Sequence, residues 1–439
     1  MTGHDVTYSS FTGWVDAPTD VKPALEGDLD CDVAVVGGGL GGMATALRLA
    51  ERGVDVVLLE AKFCGFGASS RNAGQLTGAP AGDPQLLVTL YPRRLRNVVR
   101  LAEESVHFVE DLMKRLSIDC DYEPTGNVRA AVSRGQLRKA RRNTRILQKA
   151  GATARFGDGR ELGLPDAFLG GVLEPLGGIM NPGKFTLGVR DGLLTAGVRV
   201  FERTPVHTVE DNRSGAIITT SGGRVDAKRV VLATNAYTRE LAVALKRVAT
   251  PIWVSLVETV PIDAARLAAI GWSSRCGIAT EHNVMENYRL TARNTIVFGV
   301  RRLRVGRGVP DTRLSDPAVV ADLTRGFRTR FPALADVPLD RTWGGWIAMT
   351  SSWLPVAGQA SANVYYMIGC NGHGLAQAPY LGTLLADRLA AGEFHDDLRA
   401  IWHARPRFAP AFALNNPTLR AAWAVDRMSD RLRATSGTR

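Results

Sequence analysis

Apolar side chains gather first in Cys31–Val36, recur at Met43, Leu47 and Ala50, and return in the run Val54–Leu59, which stops at Glu60. A short continuous apolar run predicts a buried strand, and apolar residues three or four apart predict a helix. The chain therefore opens as strand, helix, strand. Helical spacing with many charges follows over Leu86–Leu116 and again over Gly135–Ala150. Pro182 predicts the start of a helix that Phe185, Leu187, Val189 and Leu193 carry to Thr195. Strand patterns then take over at Gly197–Phe201, at Ala216–Thr220 after the turn Asn212–Gly215, and at Arg229–Ala233. Pro251–Val300 is rich in strands, Pro317–Phe331 reads as a helix, and Tyr365–Gly369 with Leu375–Ala391 reads as strand, glycine turn and helix. Segments of one character are interrupted by segments of another, with no linker rich in proline, glycine and serine between them. This predicts interleaved domains, one from 28–80, 150–245 and 340–439 and the other from 81–149 and 246–339, after a leader over 1–27.

The first strand and helix are joined by Gly37-Gly-Gly-Leu-Gly-Gly42. In a nucleotide-binding unit Gly37 makes the tight turn, Gly39 lets backbone approach a pyrophosphate, and Gly42 lets the helix pack close to the sheet. The helix start at Leu40 supplies partial positive charge. Glu60 lies eighteen positions after Gly42, where a carboxylate accepts from the ribose hydroxyls of an adenine dinucleotide. The flanking strands and the acidic stop give the glycines the context that the motif demands.

Composition narrows the class. At 439 residues and 45% hydrophobic content the chain can bury a large core. The apolar stretch Val33–Leu47 is too short to span a membrane, and Thr342–Ala386 is broken by glycine, proline, serine and asparagine, so no membrane span is expected. No signal peptide is visible. Five scattered cysteines without metal-ligand spacing fit a reduced, cytoplasmic protein that binds no metal. The net charge of +11 is mostly arginine. It leaves an anionic substrate or a nucleic acid open as partners, although no appended RNA-binding module is present. Arg134–Lys149 reads as a helix with a solvated basic face, while Arg301, Arg302, Arg304 and Arg307 could draw an anion to a pocket mouth.

Three further segments suit a flavin: Gly65-Phe-Gly-Ala-Ser-Ser-Arg-Asn-Ala-Gly-Gln75, Val230-Val-Leu-Ala-Thr-Asn-Ala-Tyr237, and Gly369-Cys-Asn-Gly-His-Gly374 with its helix. With the leader Ser10–Trp14, Leu354-Pro-Val-Ala-Gly358 and an ending helix over Pro417–Arg431, their order resembles the D-amino-acid oxidase (DAO) superfamily of FAD-dependent oxidoreductases, in its gamma-glutamylputrescine oxidoreductase-like branch. The resemblance implies an α/β fold: a Rossmann-like FAD-binding domain of glutathione-reductase type, interleaved with an α+β substrate domain built on a mixed sheet. It implies that Gly37, Gly39, Leu40, Gly42, Glu60 and Ala61 hold the ADP half of FAD. Ala68, Ser69, Ser70, Arg71, Asn72, Gly74 and Gln75 would pass along the pyrophosphate and isoalloxazine. Val206, Ala233 and Thr234 would add backbone contacts, and Gly358, Gly372, His373 and Gly374 would lie beside the flavin ring and ribityl chain. The histidine and cysteine through which some relatives attach FAD covalently are absent, so noncovalent FAD is expected.

Such a protein oxidises a C–N bond. The uncharged amine gives hydride from its adjacent carbon to flavin N5, and the resulting imine is hydrolysed. Tyr288 and Arg289, then Arg301 and Trp346, are the candidates to contact a small amine or amino-acid substrate; an arginine would pair with a substrate carboxylate. The stretch Thr350-Ser-Ser-Trp353 lacks an acidic residue common in relatives, which leaves the substrate type open. O2 is the expected electron acceptor, giving H2O2. A dehydrogenase using another carrier, an NAD(P)-dependent reductase and a flavoprotein acting on RNA are the alternatives.

Overall fold

The computed structural model describes residues 6–212, 214–240, 248–306, 308–310, 312–403 and 416–434. Two large sheets organise them. The nine-stranded sheet is parallel at its centre: Leu29–Val36 lies between Val56–Leu59 and Arg224–Leu232, Val364–Ile368 pairs beyond the latter, and Arg199–Phe201 beyond Val56–Leu59. The hairpin Val206–Asp211 with Ala216–Thr220 pairs antiparallel to Arg224–Leu232, and Val356–Gln359 pairs antiparallel to Val364–Ile368. The strand-like runs are thus the buried middle of a sheet covered on both faces, which is why they read as continuous rather than alternating.

Helix Leu40–Glu51 crosses Gly374–Ala391 at small residues. A side chain at Gly382 would run into the carbonyl of Gly41, and Thr45 Oγ1 donates to the Gly382 carbonyl at 3.1 Å. Pro182 opens helix Pro182–Thr195, capped by Asn181, whose side chain accepts from the Lys184 N–H. The helical pattern over Leu86–Leu116 is realised as two helices, Pro84–Leu90 and Leu95–Arg115, with Pro92 in the break, where a residue without an N–H cannot continue a helix. Helix Arg134–Lys149 buries Ala140, Thr144 and Leu147 and leaves Arg138, Arg141, Arg142 and Arg145 exposed, the solvated basic face that its spacing predicts.

The ten-stranded sheet is mixed. Its path runs Thr7–Tyr8, Leu339–Met349, Thr250–Thr259, Ile296–Val300, Glu286–Leu290, Gly277–Thr280, Asn127–Ala131, Gly170–Glu174 and Arg155–Asp158, with Arg304–Val305 paired beside Thr250–Thr259. Helix Pro317–Arg330 covers one face, where Phe327 and Phe331 pack on Tyr288 and Phe298. Arg155–Asp158, Gly170–Glu174 and Leu339–Met349 pair in this sheet, whereas the sequence division grouped the first two, and the third from residue 340 onward, with the nucleotide segments; side-chain pattern alone does not say which sheet an apolar strand joins. All five cysteines are free and buried. No helix of the described residues is long and apolar enough to cross a membrane.

Candidate functional site

The central parallel strands end at one edge of the nine-stranded sheet, and a cavity of about 640 Å³ opens there beside Val36, Leu59 and Ala233. Open parallel sheets bind ligands at this edge because loops and helix starts, rather than packed side chains, face it. Gly37 adopts φ +108°, and a side chain on it would meet the Ala233 carbonyl at 2.9 Å. A side chain on Gly42 would run into the carbonyl of Gly37, so the turn and the helix close on each other only as glycines. Gly39 caps the helix without a side chain, and the Leu40 N–H donates to Ser69 Oγ at 2.9 Å. The positive end of the helix dipole meets the cavity through bare backbone.

Glu60 stands on the wall. Its Oε2 accepts from the Gly38 N–H at 2.7 Å and its Oε1 from the Lys62 N–H at 2.8 Å. Desolvation pushes its carboxyl above the ordinary glutamate value, against the pull of those two amide donors. Each carboxylate oxygen can accept a further donor, so hydroxyls of a ribose fit here. Behind this wall the fully buried Glu202 accepts from the Cys64 N–H at 2.7 Å and the Lys22 N–H at 2.6 Å, and it pairs with Arg190 at 2.9 Å. Arg190 holds this carboxyl below its ordinary value against the opposing effect of burial. This network ties the glycine turn to the leader. The bare helix start and the half-satisfied carboxylate together fit an adenine dinucleotide.

Ala61, Ala68, Ser69 and Asn72 line the same cavity, as do Val206 and Thr234. Gly372 and Gly374 line its far end with Trp346. The other expected cofactor residues stand behind the wall. The Ser70 carbonyl accepts from Thr12 Oγ1 at 2.7 Å. Arg71 is buried; its Nη1 donates to the carbonyls of Ser10 at 2.8 Å and Gly344 at 3.1 Å, and its guanidinium lies over the rings of Phe11 and Phe66. Gly74 takes φ +70° and offers its carbonyl to Arg289. Gln75 Nε2 donates to the carbonyls of Ile278 and Tyr288, each at 3.2 Å. Gly358 lies in the antiparallel strand Val356–Gln359, where a side chain would strike the His403 carbonyl. His373 precedes helix Gly374–Ala391; burial lowers its pKa to about 4, so the ring is neutral at physiological pH, with Nδ1 at 3.2 Å from the Asn371 carbonyl.

The substrate candidates are distributed differently. Trp346 is on the wall, its indole N–H donating to the Pro310 carbonyl at 3.1 Å. Tyr288 is buried among Phe168, Phe298 and Phe331, and its hydroxyl donates to Glu286. Arg289 is buried, lies over the Trp14 ring and donates to the carbonyls of Gly74 and Met180; burial lowers its pKa to about 9. Arg301 pairs with Glu286 and Asp322. None of these three opens on the cavity: their polar groups are spent on structural partners. Arg304 pairs with Asp316, Arg302 lies over Trp423, and Arg307 is outside the described residues. Pro310, Tyr237 and Asn371 line the cavity without having been singled out; of these, Asn371 was legible as the φ +50° residue that a tight Asn-Gly turn favours. Among the described residues no group of His, Cys, Asp and Glu could hold a metal.

The family model for FAD dependent oxidoreductases (DAO) matches residues 32–388. The chain is 31% identical over 402 residues to the gamma-glutamylputrescine oxidoreductase of Escherichia coli (strain K12), covering 89% of this chain and 90% of that one. Its fold is similar to the L-proline dehydrogenase from P. horikoshii, with a TM-score of 0.72 and 20% identity over 85% of this chain and 96% of that one. It is similar also to the glycine oxidase from Geobacillus kaustophilus, with a TM-score of 0.69 and 21% identity over 83% and 96% of the two chains.

Proposed function

The chain belongs to the DAO family of FAD-dependent oxidoreductases, and from that premise we propose that it oxidises a C–N bond of an amine or amino acid. One observation carries the reading: a single crevice runs from the Glu60 carboxylate and the bare helix start to Asn371, Gly372 and Trp346. The residues that suit a dinucleotide thus share one cavity with the Trp346 indole and the Asn371–Gly372 turn.

Glu60 would accept from the ribose hydroxyls, and the backbone at Gly39–Leu40 would face the pyrophosphate. Held there, FAD would supply hydride acceptance, so that the carbon next to an uncharged nitrogen could be oxidised to the imine level and the imine hydrolysed by water to a carbonyl compound and an amine. Trp346 would hold an apolar wall against the reacting carbon. The neutral His373 ring, donating through Nδ1 to the Asn371 carbonyl, adds no positive charge behind the wall that Asn371, Gly372 and Gly374 form. Noncovalent attachment is consistent with Ser70–Ala73 and Gly344–Thr350, which hold neither histidine nor cysteine. O2 would receive the two electrons and leave as H2O2.

Anaerobic mixing with a panel of amines, N-methyl amino acids and amino acids tests the first part. At least one class should bleach the yellow absorbance of the holoprotein, and a panel that leaves it unchanged removes the reading. Admitting air tests the acceptor: rapid return of colour with peroxide supports O2, whereas slow return assigns the electrons to another carrier.

A further inference from the structure

Helix Pro84–Leu90 turns apolar side chains both ways. Leu87 is fully buried in one cluster with Ala140 and Leu147 of helix Arg134–Lys149, while Leu86, Val88 and Leu90 are 40%, 36% and 49% exposed. A surface helix ordinarily spends its leucines on the core. Leu86 and Leu90, four positions apart, stand on one outward face instead. The chain continues through Pro92 into Arg93, Arg94 and Arg96, all exposed, at the start of helix Leu95–Arg115. That position is unfavourable for cations, because a helix carries partial positive charge at its N-terminal end and favours carboxylates there; the first turn of this helix has none. These arginines cost the fold stability, as residues held for an outside partner do.

A second basic strip lies beside them. Arg138, Arg142, Arg145 and Lys149 recur every three or four residues of helix Arg134–Lys149 and are exposed. Between this strip and the buried face of the same helix stand Lys139, which pairs with Asp83 at 2.6 Å, and Asn143, which accepts from Gln85 Nε2 at 2.9 Å. The strip therefore flanks the helix that bears the leucines. Neighbouring Arg100 and Lys139 are paired, with Asp397 and Asp83, whereas the seven cations of the two strips make no ion pair with any described residue. Much of the net charge of +11 is thus gathered, unneutralised, around one apolar helix.

The combination selects the partner. A nucleic acid meets arginines through its phosphates and gains nothing from exposed leucines. An anionic bilayer offers headgroup phosphates to the arginines and acyl chains to the leucines. We propose that this face docks on the anionic lipid surface of a membrane, with Leu86 and Leu90 entering the acyl boundary and both basic strips at the level of the headgroups. The protein would lie on the bilayer rather than cross it, since no helix of the described residues is long and apolar enough to span one. The docked face adjoins the crevice. The Tyr91 hydroxyl donates to the Ser352 carbonyl at 3.1 Å, and the N–H of Thr350 donates to Asn371 on the cavity wall at 2.8 Å.

Co-sedimentation of the holoprotein with vesicles of phosphatidylcholine, with and without phosphatidylglycerol, tests the docking. Partitioning should be at least about tenfold stronger on the anionic vesicles, since each basic residue near such a surface adds roughly fivefold. It should weaken as salt screens the headgroups. Leu86→Ser combined with Leu90→Ser should lower partitioning on anionic vesicles by at least about tenfold, the scale of two half-exposed leucines returned to water, with flavin absorbance per chain unchanged. Arg142→Gln combined with Arg145→Gln should lower it by a similar factor. No partitioning, equal partitioning on both kinds of vesicle, or binding indifferent to the leucines overturns the proposal; in the last case, equal retention by RNA assigns the strips to a nucleic acid. The wild-type comparison decides even where a variant yields no folded holoprotein. None of these outcomes bears on the oxidation reading, which the bleaching panel decides alone.

Discussion

Glu60 concentrates the chemistry of the dinucleotide end into one side chain. Its two oxygens already organise the turn through Gly38 and Lys62, and their remaining lone pairs face the crevice. Glu60→Gln keeps the shape but turns one acceptor into a donor, which then opposes an amide N–H. Charged hydrogen bonds contribute about 1.5–3 kcal/mol each, so FAD affinity should fall roughly tenfold to a hundredfold. Titration of apoprotein with FAD, followed by flavin fluorescence, measures this. Unchanged affinity would show that the ribose is held by other groups. The same residue shows why the nucleotide end was readable in the sequence: a glycine turn, a helix start and a carboxylate at fixed spacing are local features. Tyr288 and Arg289 show the opposite. All five residues of Glu286–Leu290 are buried, so no alternation of apolar and polar residues marks which side of that strand meets the crevice. Arg289 is spent on the Gly74 and Met180 carbonyls, partners more than a hundred positions away that no local pattern reveals.

Elements were legible where a breaker and a cap agree. Pro182 with Asn181 fixes the start of one helix to the residue, and Asp316 with Pro317 does the same for another. The ending helix, Asn416–Ala434, was readable as a helix but not as to where it docks. It does so through charge. Arg427 joins Arg301 and Arg330 around the buried Glu286, and Asp426 accepts from the N–H groups of Asn283 and Val284. Arg330, Arg301 and Arg427 hold the Glu286 carboxyl far below the ordinary glutamate value, although burial alone would raise it. A depressed carboxyl contributes stability in full above its unfolded value, near pH 4.3, and loses it progressively as pH falls toward the folded value. Glu286→Gln leaves three guanidinium groups around a neutral amide, a loss of about 3–5 kcal/mol. Thermal melts should therefore show a large fall in Tm at neutral pH and a smaller further fall below pH 4.3 than in wild type, by the unfolded glutamate value. An unaltered acid limb would mean that this cluster does not anchor the helix.

At the scale of the whole molecule the two sheets share a core. Trp253, Trp346 and Ala348 from the mixed sheet pack in one cluster with Val36, Val57, Leu232 and Ile368 from the parallel sheet. The leader crosses the same boundary: Trp14 packs on Trp343 and donates to the Asn72 carbonyl at 2.9 Å. Separate melting would have to expose that cluster in water, at about 25 cal/mol for every Å² of apolar surface. The two sheets should therefore unfold together. Because the crevice is walled by both, through Glu60 on one side and Trp346 on the other, FAD should stabilise the joint transition rather than half of it. With FAD at about a hundred times its Kd, mass action adds about 2.7 kcal/mol, which for a chain of this length is a rise of a few degrees in Tm. Calorimetry of apoprotein and holoprotein should show one transition in each, displaced upward as a whole by FAD. Two resolved transitions, only one of which moves with FAD, would mean that the shared cluster does not couple the sheets and that the cofactor is gripped by the parallel sheet alone.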